Sequence, residues 1–357
     1  MSRRLTGALI ALALAVLLLG SMLAGQRRQT RLYTASWWDL FDTVTIVTGY
    51  AASQEEWDAQ TEALHDDLLA YHRLFDIYNH YDGLTNAADL NAEAGAGPVQ
   101  ISAQLLDLLR FGQQAYTLTD GACNIAAGRV LALWHDARVA AETAETATDA
   151  LLPTQAALEE AAAHCGMEGL VLDEEASTVT FADPELQLDL GSIAKGYAVE
   201  AAARAAEARG MESALLNVGG NVRAIGKKPD GSPWTAGVDN PRPTDTGENP
   251  LLSSVRLEPG QCLVVSGDYQ RYFTVDGVRY HHLIDLKTLQ PARYFSSVAV
   301  LCSDSGLGDA LSTGLFCMPL EEGQALVRQL DGVSVLWVLA DGSTVASDGW
   351  AGQEIQN

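Results

Sequence analysis

The amino-acid sequence predicts an α+β domain with a mixed, largely antiparallel sheet and packed helices, preceded by an N-terminal transmembrane helix. Three observations predict it. Helix-like and strand-like segments follow one another without strict βαβ repetition; the strand-like runs are short and broken by Gly, Pro and Asp turns; and a long charge-free stretch opens the chain. With 357 residues, 48% of them hydrophobic, the chain can bury a sizeable core.

From Leu5 to Gly25 there is no charge, and Arg3, Arg4, Arg27 and Arg28 flank the stretch. It is about long enough to span a bilayer as a helix. Residues 1–28 therefore read as a signal anchor or a signal peptide, the anchor being favoured because the apolar run exceeds the usual signal core. No Cys follows that could carry a lipid. Residues 29–40 read as a linker, and residues 41–350 as one continuous catalytic domain.

Within that domain, the β-branched alternation from Phe41 to Val47 reads as a strand. Glu55 to Tyr78 carries Trp57, Leu64, Leu68, Leu69 and Leu74 at helical spacing, and Ile101 to Thr117 repeats the pattern, so both are amphipathic helices. Ala137 to His164, rich in Ala, Glu and Thr with Pro153 at a first-turn position, reads as acidic surface helices. Two short strands, LVLD and TVTF, lead to a turn over Asp189 to Gly196 and a helix over Tyr197 to Arg209. Further strands are expected at Ala214–Val218, Val255, Leu263–Ser266, Ser296–Cys302 and Val333–Ala340, and the Pro-, Gly- and Asn-rich segment Lys227–Leu252 reads as a long loop.

Charge narrows the function. Lys and Arg number 22 against 46 Asp and Glu, and because four Arg lie in the first 28 residues, the remaining 18 bases leave a net charge of −28 on the rest. Such a surface repels nucleic acid, and an anionic substrate would need a cation to mediate. The five cysteines show no C-x-x-C spacing, which argues against a structural zinc site and for buried thiols with one or two bridges at best.

Four segments could carry chemistry. In Asp189-Leu-Gly-Ser-Ile-Ala-Lys-Gly196 an acid, a small hydroxyl and a Lys crowd a strand-to-helix junction, where free N–H groups and the helix dipole favour an anion; the plainer alternative is a capped helix start with a solvated Lys195. Asp309 and Thr313, four residues apart, share a helix face and offer hard oxygens to Mg²⁺, or else are an N-cap and a back-bonded threonine. The adjacent pair His281 and His282 would point to opposite faces of a strand, so one ring can enter a cleft as a proton acceptor, with Asp285 near enough to orient a ring. Asn217-Val-Gly-Gly-Asn221 is either a tight turn or a ligand-approach loop, and no Rossmann or Walker motif is present.

Taken in order, Gly121-Ala-Cys-Asn124, DLGSIAKGY, LLNVGGNVRAIG, VVSGDYQR, HHLID and DALSTGLF resemble the ApbE family of FAD:protein FMN transferases, bacterial Mg²⁺-dependent periplasmic or surface enzymes, from about Phe41 to Ala340. The resemblance implies an ApbE-like fold, FAD as substrate, FMN transfer to a Thr or Ser hydroxyl with release of AMP, and as acceptor a flavoprotein subunit of a membrane redox complex on the outer face of the cell membrane. It implies Asp189 and Lys195 as FAD contacts, Ser192, Asp309 and Thr313 as the metal site with Ser312 beside them, and His282 rather than His281 as the catalytic residue. Phe41, Tyr78, Ala122, Cys123, Asn124 and Ile284 should line the FAD pocket. The chain departs from the family where Leu286 and Leu289 replace Pro and Gly after HHLID, and where Cys123 and Asn124 replace an aromatic and an Asp. Two rival functions use the same residues: a metal-dependent FAD pyrophosphatase, and a non-catalytic FAD-binding surface protein.

Overall fold

In a computed structural model, the chain is described over residues 30–143, 152–243 and 250–355. The apolar stretch Leu5–Gly25 lies outside the described residues, among which no helix is long and apolar enough to cross a membrane. The core is an eight-stranded sheet formed by β1 (Arg31–Leu40), β2 (Thr43–Ala51), β3 (Ala214–Val218), β4 (Asn221–Ile225), β5 (Cys262–Gly267), β6 (Phe295–Cys302), β7 (Ser334–Leu339) and β8 (Thr344–Ala346). The strands neighbour one another in space in the order in which they occur in the chain. Each pairs antiparallel with the next, so the expected mixed sheet is antiparallel throughout. Parallel pairing among the described residues is confined to the single bridge Ala127–Gln187.

Two sequence expectations are corrected here. Residues 31–40 are not a linker: they are β1, which pairs with β2 from Arg31↔Ala51 onward. The reason is packing, because Tyr33 stacks on Trp57 and Trp37 meets His65, so alternate residues of β1 are drawn onto the first helix. Nor is Lys227–Leu252 one long loop, since Trp234–Asp239 pairs with Leu251–Leu257 as a hairpin. Its alternating buried residues Trp234, Ala236 and Val238 close over the sheet.

Helices are inserted between the strands: α1 (Gln54–Phe75), α2 (Ala87–Ala92), α3 (Ala103–Leu118), α4 (Gly128–Thr143), α5 (Gln155–Ala162) and α6 (Ala194–Ala208) between β2 and β3, α7 (Ser305–Phe316) and α8 (Leu320–Val327) between β6 and β7, and α9 (Trp350–Gln353) after β8. The predicted helices include α1, α3 and α6, with Trp57, Leu64, Leu68 and Leu74 of α1 buried as expected. Ala137–His164 falls on the end of α4 and on α5, its middle lying outside the described residues. LVLD and TVTF pair as a small ladder joined by Val99–Gln100.

Every residue of β6 is buried, which requires cover on both faces of the sheet. The period of two divides the labour. Val298, Val300 and Cys302 face Leu311, Leu315 and Phe316 of α7, whereas Ala299 and Leu301 face the hairpin residues Val238, Val255 and Leu257 and Trp350 of α9. At one end of this sheet the β1–β2 turn, the β3–β4 turn at Gly219–Gly220 and the exit of β5 come together with the segment leading into α6 and with the stretch of α7 that carries Asp309 and Thr313.

Candidate active site

The meeting of these turns leaves a cleft of about 660 Å³, a size suited to a cofactor-scale ligand. Asp189, Ser192, Lys195, Asp309, Thr313, His282, Phe41, Tyr78, Ala122, Asn124 and Ile284 all line it, although they come from six separate stretches of chain. Cys123 does not. It is 1% exposed and lies beneath the wall, where its thiol donates to the Ser192 hydroxyl at 3.4 Å. Its apolar neighbours Ile125 and Ala126 pull it inward, and burial pushes its pKa up to about 12, so it supports Ser192 as a neutral thiol.

Each wall has a local cause. The two-residue β1–β2 turn sets both Phe41 and Asp42 at positive φ, 53° and 51°, as a primed hairpin turn demands. That strained geometry aims Phe41 at the cleft, where its N–H donates to Nδ1 of His72 at 3.1 Å. Helix α1 stops three residues short of the predicted Tyr78. Asp76 ends it by accepting from the N–H groups of Tyr78 and Asn79 at 2.7 and 3.1 Å, and this turn delivers Tyr78 to the rim against His135.

The Asp189–Gly196 segment does not contain a side-chain cap for α6: Ile193 occupies that position, and Asp189 Oδ1 instead accepts from Gly191 N–H at 2.8 Å. Burial raises the Asp189 pKa, against the pull of the Gly191 N–H and the fields of His135, Arg271 and Lys195. On the facing helix, Asp304 is the N-cap of α7, accepting from Leu307 N–H at 3.0 Å. That frees Asp309 of any capping role. It lies in the second turn, 3% exposed, with Oδ2 accepting from Gly196 N–H at 2.8 Å and Oδ1 lying 3.9 Å from Lys195 Nζ. Burial raises its pKa too, and Lys195, the Gly196 N–H and the Asn221 amide oppose the shift.

A buried carboxylate with one remote cation is under-compensated. Next to it, Asn221 Nδ2 reaches Asp309 Oδ1 at 3.5 Å, while Asn221 Oδ1 is buried with no hydrogen-bond partner. Among the described residues no three His, Cys, Asp or Glu side chains gather as a metal chelate, so soft-metal chemistry has no donor set here. What the cleft offers is hard oxygen: the Asp309 carboxylate, the Thr313 hydroxyl one turn on and Ser192. That set fits Mg²⁺, which takes few protein ligands and keeps the rest for water and phosphate.

The two histidines separate cleanly. His281 is buried, its Nε2–H donating to the Ala292 carbonyl at 2.8 Å and its Nδ1 accepting from Leu283 N–H at 3.2 Å, so both ring nitrogens are occupied. His282 opens onto the cleft. Its Nδ1 lies 3.3 Å from the Arg271 carbonyl, which can only accept, so Nδ1 carries the proton and Nε2 keeps its lone pair. Desolvation by the cleft walls, with the cations of Arg271 and Lys195, lowers its pKa; water in the open cleft tempers the extent, but the direction keeps the ring neutral at pH 7. Asp285 does not orient either ring. It is turned to Lys287 N–H and the Tyr294 hydroxyl, and the Arg271 carbonyl does the orienting.

Sequence reasoning missed Arg271, His135, His72 and Asn221, all of which line the cleft. Arg271 and Asn221 stood inside motifs already singled out. His72 and His135 carry no local signal at all, since only the packing of α1 and α4 turns them inward.

The antiparallel sheet thus carries at one end a cleft in which hard-oxygen donors and a neutral imidazole line one cavity. Residues 41–337 match the ApbE family, and the chain belongs to it. Among curated relatives, it is 31% identical over 291 residues to the FAD:protein FMN transferase of Klebsiella pneumoniae, covering 79% of this chain and 86% of that one. It is 35% identical over 278 residues to the FAD:protein FMN transferase of Treponema pallidum, covering 73% of each. Among solved structures it resembles the ApbE protein of Thermotoga maritima, with a TM-score of 0.77 and 30% identity over 91% of this chain and all of that one. The flavin transferase ApbE of Vibrio cholerae shares the fold, with a TM-score of 0.75 at 24% identity over 91% of this chain and 99% of that one.

Proposed function

We propose that this chain is an FAD:protein FMN transferase that moves the FMN half of FAD onto a Thr or Ser hydroxyl of an acceptor flavoprotein and releases AMP. The observation that carries the reading is the cleft itself: a neutral His282 with a bare Nε2 lines the same cavity as the Asp309, Thr313 and Ser192 oxygens. The relatives named above bear that activity in their names.

Each residue has a part. Asp309, Thr313 and Ser192 would hold Mg²⁺, which when bound neutralises diphosphate charge that this acidic protein would otherwise repel. Lys195, 3.9 Å from Asp309, adds a positive charge beside the same spot. Asp189 accepts donors of the ligand, and Phe41 and Tyr78 offer aromatic faces at the rim. His282 Nε2 takes the proton from the acceptor hydroxyl as its oxygen attacks the FMN-side phosphorus, and the bond to the AMP phosphate breaks in line. Nδ1, held on the Arg271 carbonyl, keeps the ring in the tautomer that can do this.

Location and partner follow the chemistry of the chain. The apolar stretch Leu5–Gly25 would tether the domain to the outer face of the cell membrane, where the acceptor is a flavin-carrying subunit of a membrane redox complex. The test is incubation with FAD, Mg²⁺ and a candidate acceptor, followed by mass measurement of the acceptor and chromatography of nucleotides. An FMN adduct with stoichiometric AMP is expected. Free FMN and AMP with unmodified acceptor would make the enzyme a pyrophosphatase, and unchanged FAD would make it a binder.

A further inference from the structure

Helices α6 and α7 cross at the cleft in an antiparallel register, and three polar rungs spaced one turn apart along α6 tie them together. Gly196 N–H donates to Asp309 Oδ2 at 2.8 Å, Ser305 N–H donates to Glu200 Oε2 at 3.0 Å, and Arg204 Nη2 donates to Asp304 Oδ2 at 3.3 Å. Residues 196, 200 and 204 of α6 share one face because they are spaced by four. The helices touch backbone to backbone, since a Cβ on Gly196 would lie 2.2 Å from the Ser305 carbonyl oxygen and 2.5 Å from Asp309 Cβ. Only the outermost of these rungs touches the cleft.

The carboxylate of the middle rung also belongs to an ion pair with no role in the chemistry described so far. Glu200 is 6% exposed and Arg223 3%. Arg223 Nε and Nη2 donate to the two carboxylate oxygens at 3.1 and 3.2 Å, and Arg204 Nε donates at 2.7 Å. Arg223 is on β4 two residues beyond Asn221, so the two side chains leave the strand on the same side. One meets Asp309 and the other meets Glu200. A single strand thus fixes both ends of the α6–α7 register, and Glu200 places its negative charge on the free N–H groups that open α7, where the helix dipole favours it.

We infer that Glu200, buttressed by Arg223, is a positioning residue that sets the register of α7 and thereby the place of the Asp309 carboxylate in the metal site. The inference rests on the reading of Asp309 as a metal ligand. Losing a buried group that orients a ligand typically weakens metal binding by roughly 10- to 100-fold. A charged buried pair can be replaced by apolar residues of like volume without loss of stability, whereas breaking it from one side strands a charge, so two variants are needed.

The experiment uses the full chain as wild type, Glu200→Gln, and Glu200→Leu combined with Arg223→Met. Three quantities are measured: circular dichroism to show the fold, flavin fluorescence for FAD affinity without metal, and the Mg²⁺ concentration giving half of the thermal shift at saturating FAD. The expected result is a folded protein, unchanged metal-free FAD affinity and a half-saturating Mg²⁺ concentration raised by roughly tenfold. A folded variant of either kind whose Mg²⁺ requirement stays within about threefold of wild type overturns the inference, and larger shifts in both support it. If neither variant folds, the pair serves the fold and the inference falls. A wild-type protein with no Mg²⁺-dependent shift would instead sink the metal-site reading beneath it.

Discussion

At the residue scale, the division between two neighbouring histidines shows how little of a side chain's role its type decides. His281 spends both nitrogens on backbone groups, whereas His282 spends one and keeps one. Replacing His282 with Ala should leave FAD binding by fluorescence intact and abolish adduct formation by mass, losing on the order of 10²–10⁴ in rate as expected for a removed general base. Because its pKa is lowered, the ring stays unprotonated as pH falls, so the transfer rate should hold its plateau below pH 6.5 rather than fall there. His281 makes the opposite kind of prediction. Burial, the largest cause, takes its pKa down to about 4 against the pull of the Ala292 carbonyl. The unfolded state therefore binds the extra proton first, and the stability present above about pH 6.5 is lost as pH falls toward 4, by on the order of 3 kcal/mol. Urea unfolding of wild type across that window should show the loss, and His281→Gln should flatten it.

Leu289 belongs to the same scale. It stands where the family resemblance leads one to expect Gly, and it has φ of 60°. It is tolerated because its side chain is buried against the cluster containing Trp134, whose indole N–H also donates to the Leu289 carbonyl at 3.0 Å. Leu289→Gly relieves about 1–2 kcal/mol of backbone strain but forfeits a buried leucine side chain, a loss of about 2–5 kcal/mol. The variant should be net destabilised in chemical denaturation. A more stable variant would mean that strain, not packing, dominates this turn.

At the scale of elements, the site is made by contacts between helices that the sequence cannot show. Gly196 permits α6 and α7 to approach until backbone meets backbone. Gly196→Ala should force the pair apart, costing about 1–3 kcal/mol through overpacking and displacing Asp309 from the N–H that holds it. Its thermal shift with Mg²⁺ should vanish while FAD affinity without metal persists. The elements themselves were mostly legible: α1, α3, β5, β6 and β7 follow from periodicity, since a buried face repeats every 3.6 or every two residues. β1 was not, although Tyr33, Ala35 and Trp37 alternate in it. Its short mixed run after a charged junction looks like a linker until α1 is known to lie beside it.

At the scale of the whole molecule, β1 joins the sheet as an edge strand, so the folded unit includes residues 31–40 rather than starting at residue 41. Deleting residues 1–28 should preserve one cooperative unfolding transition in calorimetry. Deleting residues 1–40 should lower the transition midpoint or abolish it, because β2 loses its partner and Trp57 its cover. Of the candidate site, ten of the eleven cleft residues foreseen outside the histidine choice stand where the motifs indicate, and the exception, Cys123, is instructive: the motif marks the loop but not which of its side chains turns inward.

By itself, then, the sequence determined the antiparallel tendency, the amphipathic helices, the acidic surface and the identity of the chemical groups, because these depend on local periodicity and on residue type. Only the tertiary structure decided which of two histidines keeps a free nitrogen, that Asp304 rather than Asp309 caps α7, and that a carboxylate and an amide from strands and helices far apart in the chain share one buried corner. Proton affinity and ligand geometry are set by neighbours within a few ångströms, and for Asp309 those neighbours, Asn221 and Gly196, stand 88 and 113 residues away along the polypeptide.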